Sequence, residues 1–297
     1  MLPRRHIRIK VFQTLYARSQ KNQDTKLDTL KEYKKNLTSY LNIYFFIIDL
    51  LTSIKETAIT KLELKRKKII RNNENIIPNQ RFVQNYILKQ LKGKKIKNNH
   101  IREDKIKVIA KKIFTQIQKS NTYIGYMKKP QISQEDEKKI IFHILKKYVI
   151  GNEQIHDFIE EYSIYWNDDI LIAYNFLMEK INKNEEINSI ALFRKKEDQL
   201  FGESLLKQTI EKEKEISKLI YELVINWDEE RIATIDLILM KMALAEMRHI
   251  EEKIPNKVSL DEYIEISKQY STPKSKEFIN GLLDVFMKDI LPKNINE

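Results

Sequence analysis

The side chains with the clearest chemical potential in this sequence are the guanidinium groups of Arg4, Arg5 and Arg8 and the ammonium of Lys10, all in the opening MLPRRHIRIKVFQTLYARSQ. Cations in that register suit phosphate. A guanidinium offers paired N–H donors to two anionic oxygens, and the backbone N–H groups at a helix start add to them. Gln13 and Tyr16, about one and two turns further along, supply an amide that can hydrogen-bond a base and a ring that can stack on one. The element that must position them is a helix: Ile7, Val11 and Leu15 recur four apart, and Phe12 and Tyr16 widen the apolar stripe. Its charge runs against its dipole, by about 0.3–1 kcal/mol for each cation in the first turns. No acidic residue appears before Asp24, so the counter-charge must come from outside the helix. If that counter-charge is RNA phosphate, binding should weaken steeply with salt, and reversing Arg5 and Arg8 to glutamate should abolish it with the fold intact.

Other chemistry is thinly provisioned. The five glycines are isolated, so no glycine-rich loop cradles a phosphate, and the absence of cysteine removes thiol nucleophiles, thiolate metal sites and disulfides together. Glu153–His156 and Glu246–His249 share the E-x-x-H spacing by which di-iron bundles place a carboxylate and an imidazole on one helix face. Their positions argue against ligation, because Glu153 follows Gly151–Asn152 at a helix start and His249 closes a helix beside Glu251 and Glu252. No metal, cofactor or catalytic residue is expected.

At 297 residues with 42% hydrophobic content, the chain can fill real cores, and its net charge of +12 implies a polyanionic partner. The charge is uneven. Residues 1–60 carry a net +6, residues 61–130 carry +16 and residues 131–297 carry −10. A basic front and an acidic back fit either a nucleic-acid face and a face for a basic protein, or solvated helix faces that simply differ. The segments KRKKIIR, LKGKKIK and IAKKIF within 61–130 read equally as an extension of the RNA track and as a basic surface without a specific ligand. The most apolar run, LNIYFFIIDLLTSI, is interrupted by Asn42 and Asp49 and reads as a buried helix, not a membrane span. With no targeting segment and no cysteine, the expected location is the cytoplasm.

Only five glycines and six prolines interrupt the chain, and the apolar spacing is helical almost throughout, which makes the class all-α, built of helical bundles. The spacing predicts helices over about 4–20, 27–65, 80–92, 103–120, 134–149, 152–165, 168–183, 197–210, 213–225, 228–249, 260–270 and 276–290. Asn226 with Glu229 and Ser259 with Glu262 read as capping boxes. A partial internal repeat is also legible: a shift of 61 residues aligns the only two tryptophans, Trp166 and Trp227, and matches Leu145 with Leu206, Ile155 with Ile216 and Ile159 with Ile220 without a gap.

Near the C-terminus, NWDEERIATIDLILMKMALAEM is apolar almost all round and should form the buried centre of a bundle, with Asp236 either a rim carboxylate or a contact for a basic protein. In the following IPNKVSLDEYIEISKQYSTPKSKEFINGLLD, helical spacing continues across Gly281, whose cost of about 1 kcal/mol would be tolerated for a close helix contact.

Together with the arginine-led opening, these two C-terminal stretches resemble the NusB family of bacterial transcription antitermination factors, over roughly residues 1–50 and 190–291. The resemblance implies a core of two small helical bundles, no enzymatic activity, and binding to single-stranded boxA-like RNA of ribosomal RNA transcripts with the ribosomal protein NusE, in an RNA polymerase antitermination complex. Carried over by position, it implies Arg4, Arg5, Arg8, Gln13 and Tyr16 as RNA-binding residues and Asp236 as the contact for NusE; Lys10 joins the RNA-binding set by its place among the cations of the first turns. Two departures stand out. The family's Asp-Arg pair is Asp236–Leu237 here, and its short link between bundles is replaced by an inserted helical region. The expected organisation is N-terminal helices over 1–60, a basic insertion over 61–130, a helical pseudo-repeat over 131–186 and a NusB-like bundle over 187–297. The competing reading is a helical protein-interaction scaffold whose basic charge is incidental. An RNA cytosine methyltransferase, some of which have a similar front domain, is excluded by the missing cysteine.

Overall fold

A computed structural model describes residues 1–21, 25–72, 77–91, 103–163, 165–223, 232–250 and 254–290, with residues 289 and 290 described by backbone alone. Among these residues every regular element is helical. In chain order they are α1 (Arg4–Gln20), α2 (Lys26–Arg71), α3 (Arg81–Gln84), α4 (Tyr86–Gln90), α5 (Glu103–Lys119), α6 (Asn121–Lys128), α7 (Gln134–Ile144), α8 (Glu153–Glu160), α9 (Trp166–Asn182), α10 (Lys196–Glu211), α11 (Glu213–Leu223), α12 (Thr234–His249), α13 (Asn256–Tyr270) and α14 (Ser275–Val285). Wider π-type turns continue α7 over Leu145–Ile150 and α14 over Phe286–Ile290.

The chain divides into two compact units, one formed by residues 1–37 and 193–297, the other by residues 38–192. The anticipated boundaries after residues 60 and 130 therefore fall inside the second unit. The basic stretch and the pseudo-repeat lie in one body because α2 continues unbroken to Arg71 and supplies the surface on which later helices pack.

In the first unit α12 is the centre. Leu239, Met240, Met242, Ala243, Leu244 and Ala245 are fully buried, and α1, α10, α11, α13 and α14 all pack against this helix. Helix α10 approaches closely at Gly202, where a Cβ would stand 2.6 Å from the Ile7 side chain and 2.1 Å from the Tyr33 hydroxyl. The close contact expected at Gly281 is absent: no atom lies within 4 Å of a Cβ placed there. The Ser259–Glu262 capping box is not formed either. Helix α13 starts earlier, at Asn256 after Pro255, and Ser259 is inside it. The Asn226–Glu229 box and Trp227 lie outside the described residues.

In the second unit α2 carries the core. Tyr40, Tyr44, Ile47, Leu51 and Ile54 are buried, Phe46 stacks on Phe158 with ring centres 5.4 Å apart, and the Tyr44 hydroxyl donates to the Ile187 carbonyl at 2.9 Å. A second aromatic group joins Phe82, Phe114 and Tyr123. The helix expected over 80–92 is two short ones. Asn85 breaks it in an extended conformation, and its side chain caps the second by accepting from the N–H groups of Ile87 and Leu88. Helix α2 is the one described helix long and apolar enough to cross a membrane, and 61% of that apolar window is buried within the protein. The positions matched by the 61-residue shift have matching environments, Leu145 and Leu206, Ile155 and Ile216, and Ile159 and Ile220 all being fully buried.

Candidate nucleic-acid interface

Helix α1 spans the residues its spacing predicted, and Ile7, Val11, Phe12 and Leu15 face the core. The cations of its first turns do not project together into solvent. Arg8 is 2% exposed and grips Glu246 through two bonds, Nε to Oε2 at 2.9 Å and Nη2 to Oε1 at 2.6 Å. The same carboxylate accepts from the Ser259 hydroxyl at 2.6 Å and the Tyr263 hydroxyl at 2.8 Å, so it is fully engaged. Burial disfavours the charged Arg8 guanidinium, but the bonds and the proximity of Glu246 outweigh it and raise its pKa overall. Arg4 pairs with Asp198 at 2.9 Å, and the guanidinium carbons of Arg4 and Arg8 lie 5.2 and 5.0 Å from the centre of the Phe201 ring. Arg5, at the surface, makes a fork of two 2.8 Å bonds to Glu262, and that bond holds the Glu262 carboxyl below its usual range.

The remaining members of the set are linked in turn. Lys10 is fully buried and donates to Asn36 Oδ1 at 2.8 Å, while the Asn36 amide donates to Gln13 Oε1 at 3.2 Å. Gln13 is half-buried, and Tyr16 is 38% exposed beside Phe12. Two tiers result. The buried cations Arg8 and Lys10 orient neighbours, since Glu262 also sits 3.9 Å from Arg8 while holding Arg5. Arg5, Gln13 and Tyr16 reach the surface, with Arg4 partly covered.

This corrects the sequence expectation in two respects. The three arginines of the first turns are met by carboxylates of α10, α12 and α13 of the same chain, and Lys10 is buried with its ammonium donating to Asn36, so neither Arg8 nor Lys10 is presented to an external anion. Reversal of Arg8 would set two carboxylates together in the interior, so the double reversal cannot leave the fold intact. Asp236 is likewise no surface contact: it is 5% exposed in the first turn of α12 and accepts from Ser271 Oγ at 2.6 Å. Glu246, Glu262 and Asp198 are the residues that sequence reasoning missed. The Ser259–Glu262 pattern did single out two members of the network, for a reason the structure replaces.

Neither E-x-x-H pair forms a ligand set. Glu246 is occupied by Arg8, Glu153 is exposed, and the His156 ring nitrogen lies 2.7 Å from the Ile150 carbonyl oxygen. Among the described residues no group of three or more metal-ligating side chains occurs.

These features define an all-α protein whose cationic first helix is tied into a bundle by carboxylates of three other helices, that of Glu246 buried. The family model described as the NusB family matches residues 169–288. Among curated relatives, a transcription antitermination protein NusB of Thermodesulfovibrio yellowstonii is 34% identical over 128 residues, covering 43% of this chain and 83% of that protein. Proteins of the same name from Salinibacter ruber and Chloroherpeton thalassium are 43% and 34% identical, over 30% and 42% of this chain. The chain spans little more than half the length of these last two, 56% and 60%. No solved structure matches. The chain belongs to the NusB family.

Proposed function

We propose that the protein is a transcription antitermination factor that binds boxA-like single-stranded RNA of ribosomal RNA transcripts together with the ribosomal protein NusE, in the cytoplasm and without catalysing a reaction. Family membership supports the role, since the relatives carry that name. The observation that carries the RNA reading is the outer edge of α1, where Arg5, Gln13 and Tyr16 offer a cation, an amide and a ring on one rigid helix. Arg4, partly covered and paired with Asp198, adds a second cation in the first turn. Arg8 and Lys10 serve as positioning residues: Arg8 through Glu246 and Glu262, and Lys10 through Asn36, which fixes the Gln13 amide. Asp236 acts in NusE binding through Ser271, which it holds at the junction of α13 and α14.

Titration of a 12-nucleotide boxA-like RNA by fluorescence anisotropy, with and without NusE, tests this. The variant Arg5→Ala with Tyr16→Ala should raise the dissociation constant at least tenfold with an unchanged thermal midpoint, because both side chains lie at the surface. Asp236→Asn should weaken retention of NusE more than of RNA. Equal RNA affinity in the double variant would remove the interface and leave a helical interaction scaffold. Because Arg5 already has a partner in Glu262, its contact with phosphate exchanges one anion for another, and the salt dependence of this short complex should be shallow.

A further inference from the structure

The positive charge that remains after α1 is satisfied lies elsewhere. The first unit holds 27 Lys and Arg against 24 Asp and Glu, a net +3, whereas residues 38–192 hold 27 against 18, a net +9. Within that second unit the charge has a place. The spacing that carries Ile47, Leu50, Ile54 and Ala58 into the core runs on, in the same three-and-four rhythm, to Lys61, Lys65 and Lys68. One face of α2 thus changes from apolar to cationic where it leaves the core.

Helix α5 adds a second row. Lys61 reaches across to it, donating to Gln118 Oε1 at 2.7 Å and Thr115 Oγ1 at 3.2 Å, with its ammonium 5.2 Å from the centre of the Phe114 ring. Lys111, one turn before Thr115, is exposed and close enough to Lys61 to add to the effect of burial in lowering its pKa. Lys65, Lys68 and Lys111 are exposed, and among the described residues none has an acidic side chain within ion-pair distance. The contrast with α1 is direct, since Arg4, Arg5 and Arg8 each have a carboxylate. Like charges held together without counter-ions gain by neutralisation from a polyanion.

We propose that the α2–α5 face built around Lys61, Lys65, Lys68 and Lys111 is a second, sequence-independent contact for the RNA backbone. Lysines about one helical turn apart on α2, with Lys111 on the adjacent α5, present a track of point charges with the Gln118 amide N–H groups as neutral donors beside it, and such a track reads phosphates without reading bases. A membrane surface fits less well. Ile59 and Ile70 are exposed on the side of α2 away from the lysines, but charged Glu63 and Arg66 lie between them on that side and Leu64 is exposed elsewhere around the helix, so no continuous apolar stripe is offered to the lipid. The inference rests on the RNA-binding reading of the chain but on different residues, so the two fail separately.

The test uses the full chain and two probes, a 30-nucleotide single-stranded oligouridylate and the 12-nucleotide boxA-like RNA, titrated from 50 to 300 mM salt. In the variant Lys65→Gln, Lys68→Gln, Lys111→Gln the slope of log affinity against log salt for the 30-mer should become shallower by about 2, from about 0.7 for each phosphate contact on a single strand. Affinity for the 30-mer should fall about tenfold at the low-salt end, affinity for the 12-mer should not change, and the three corresponding arginine substitutions should restore binding. All three lysines are exposed, and an unchanged circular dichroism melt confirms the fold. An unaltered slope and affinity for the 30-mer would overturn the proposal. So would binding of the wild-type chain to vesicles of phosphatidylglycerol and phosphatidylcholine with no binding to the 30-mer. If Arg5→Ala with Tyr16→Ala leaves the 12-mer complex intact while the lysine variant loses the 30-mer, the α1 interface falls and the α2–α5 face stands.

Discussion

Removing the Arg8 guanidinium would strand the Glu246 carboxylate, 4% exposed, with only the hydroxyls of Ser259 and Tyr263 to solvate it. Breaking one partner of a buried pair is far costlier than losing a surface pair, because the remaining charge stays out of water. Arg8→Ala should therefore lower stability by about 3–5 kcal/mol in urea denaturation, against about 1 kcal/mol or less for Arg5→Ala. A second residue with a defined consequence is Asp49 in the other unit. Its carboxyl is pushed up to about 7, first by burial and then by Glu103, and Glu56 and Lys107 line the same hollow. A carboxyl with a raised pKa in the folded state favours folding when protonated. Its contribution is full below about pH 4, the ordinary carboxyl range, and is lost as pH rises towards 7. Asp49→Asn should thus stabilise the protein at pH 8 and flatten its stability profile between about pH 4 and 7, measured as the melting temperature at each pH.

At the scale of elements, two glycines separate packing from propensity. Both lie inside helices, yet a Cβ at Gly202 would collide with buried Ile7 and Tyr33, whereas one at Gly281 would meet nothing within 4 Å. Gly202→Ala should destabilise by about 1–3 kcal/mol, because α10 must move away from α1 and α2. Gly281→Ala should stabilise by about 0.5–1 kcal/mol, because alanine loses less backbone freedom in a helix and the site is open. Thermal denaturation of the two variants reads opposite signs. The same logic explains α13. Ser259 and Glu262 have the spacing of a cap, but Pro255 starts the helix earlier, and the Ser259 hydroxyl donates to Glu246 while the Glu262 carboxylate accepts from Arg5.

For the whole molecule, the net charge of +12 conceals two kinds of cation. The three arginines that open α1 are matched by carboxylates on α10, α12 and α13, which come from 190 or more residues further along the chain. Lys65 and Lys68 at the end of α2 and Lys111 on α5 are not matched among the described residues. On the proposal above, a salt titration of the intact protein should be shallow for RNA held at α1 and steeper for RNA held at the lysines. The same titration tests the sequence expectation of a steep dependence at the first helix.

The sequence by itself determined the helical class, the span of α1, the burial of α12 and the family, because apolar periodicity and the C-terminal motif are local patterns that survive any arrangement of neighbours. It could not determine which charges would be exposed. Arg8 and Arg5 are identical in type and three residues apart, yet one is 3% and the other 47% exposed at the side chain. Only the packing of α12 and α13 against α1 decides between them, since the energy of an ion pair depends on distance and burial, and both are properties of contacts between residues remote in the chain.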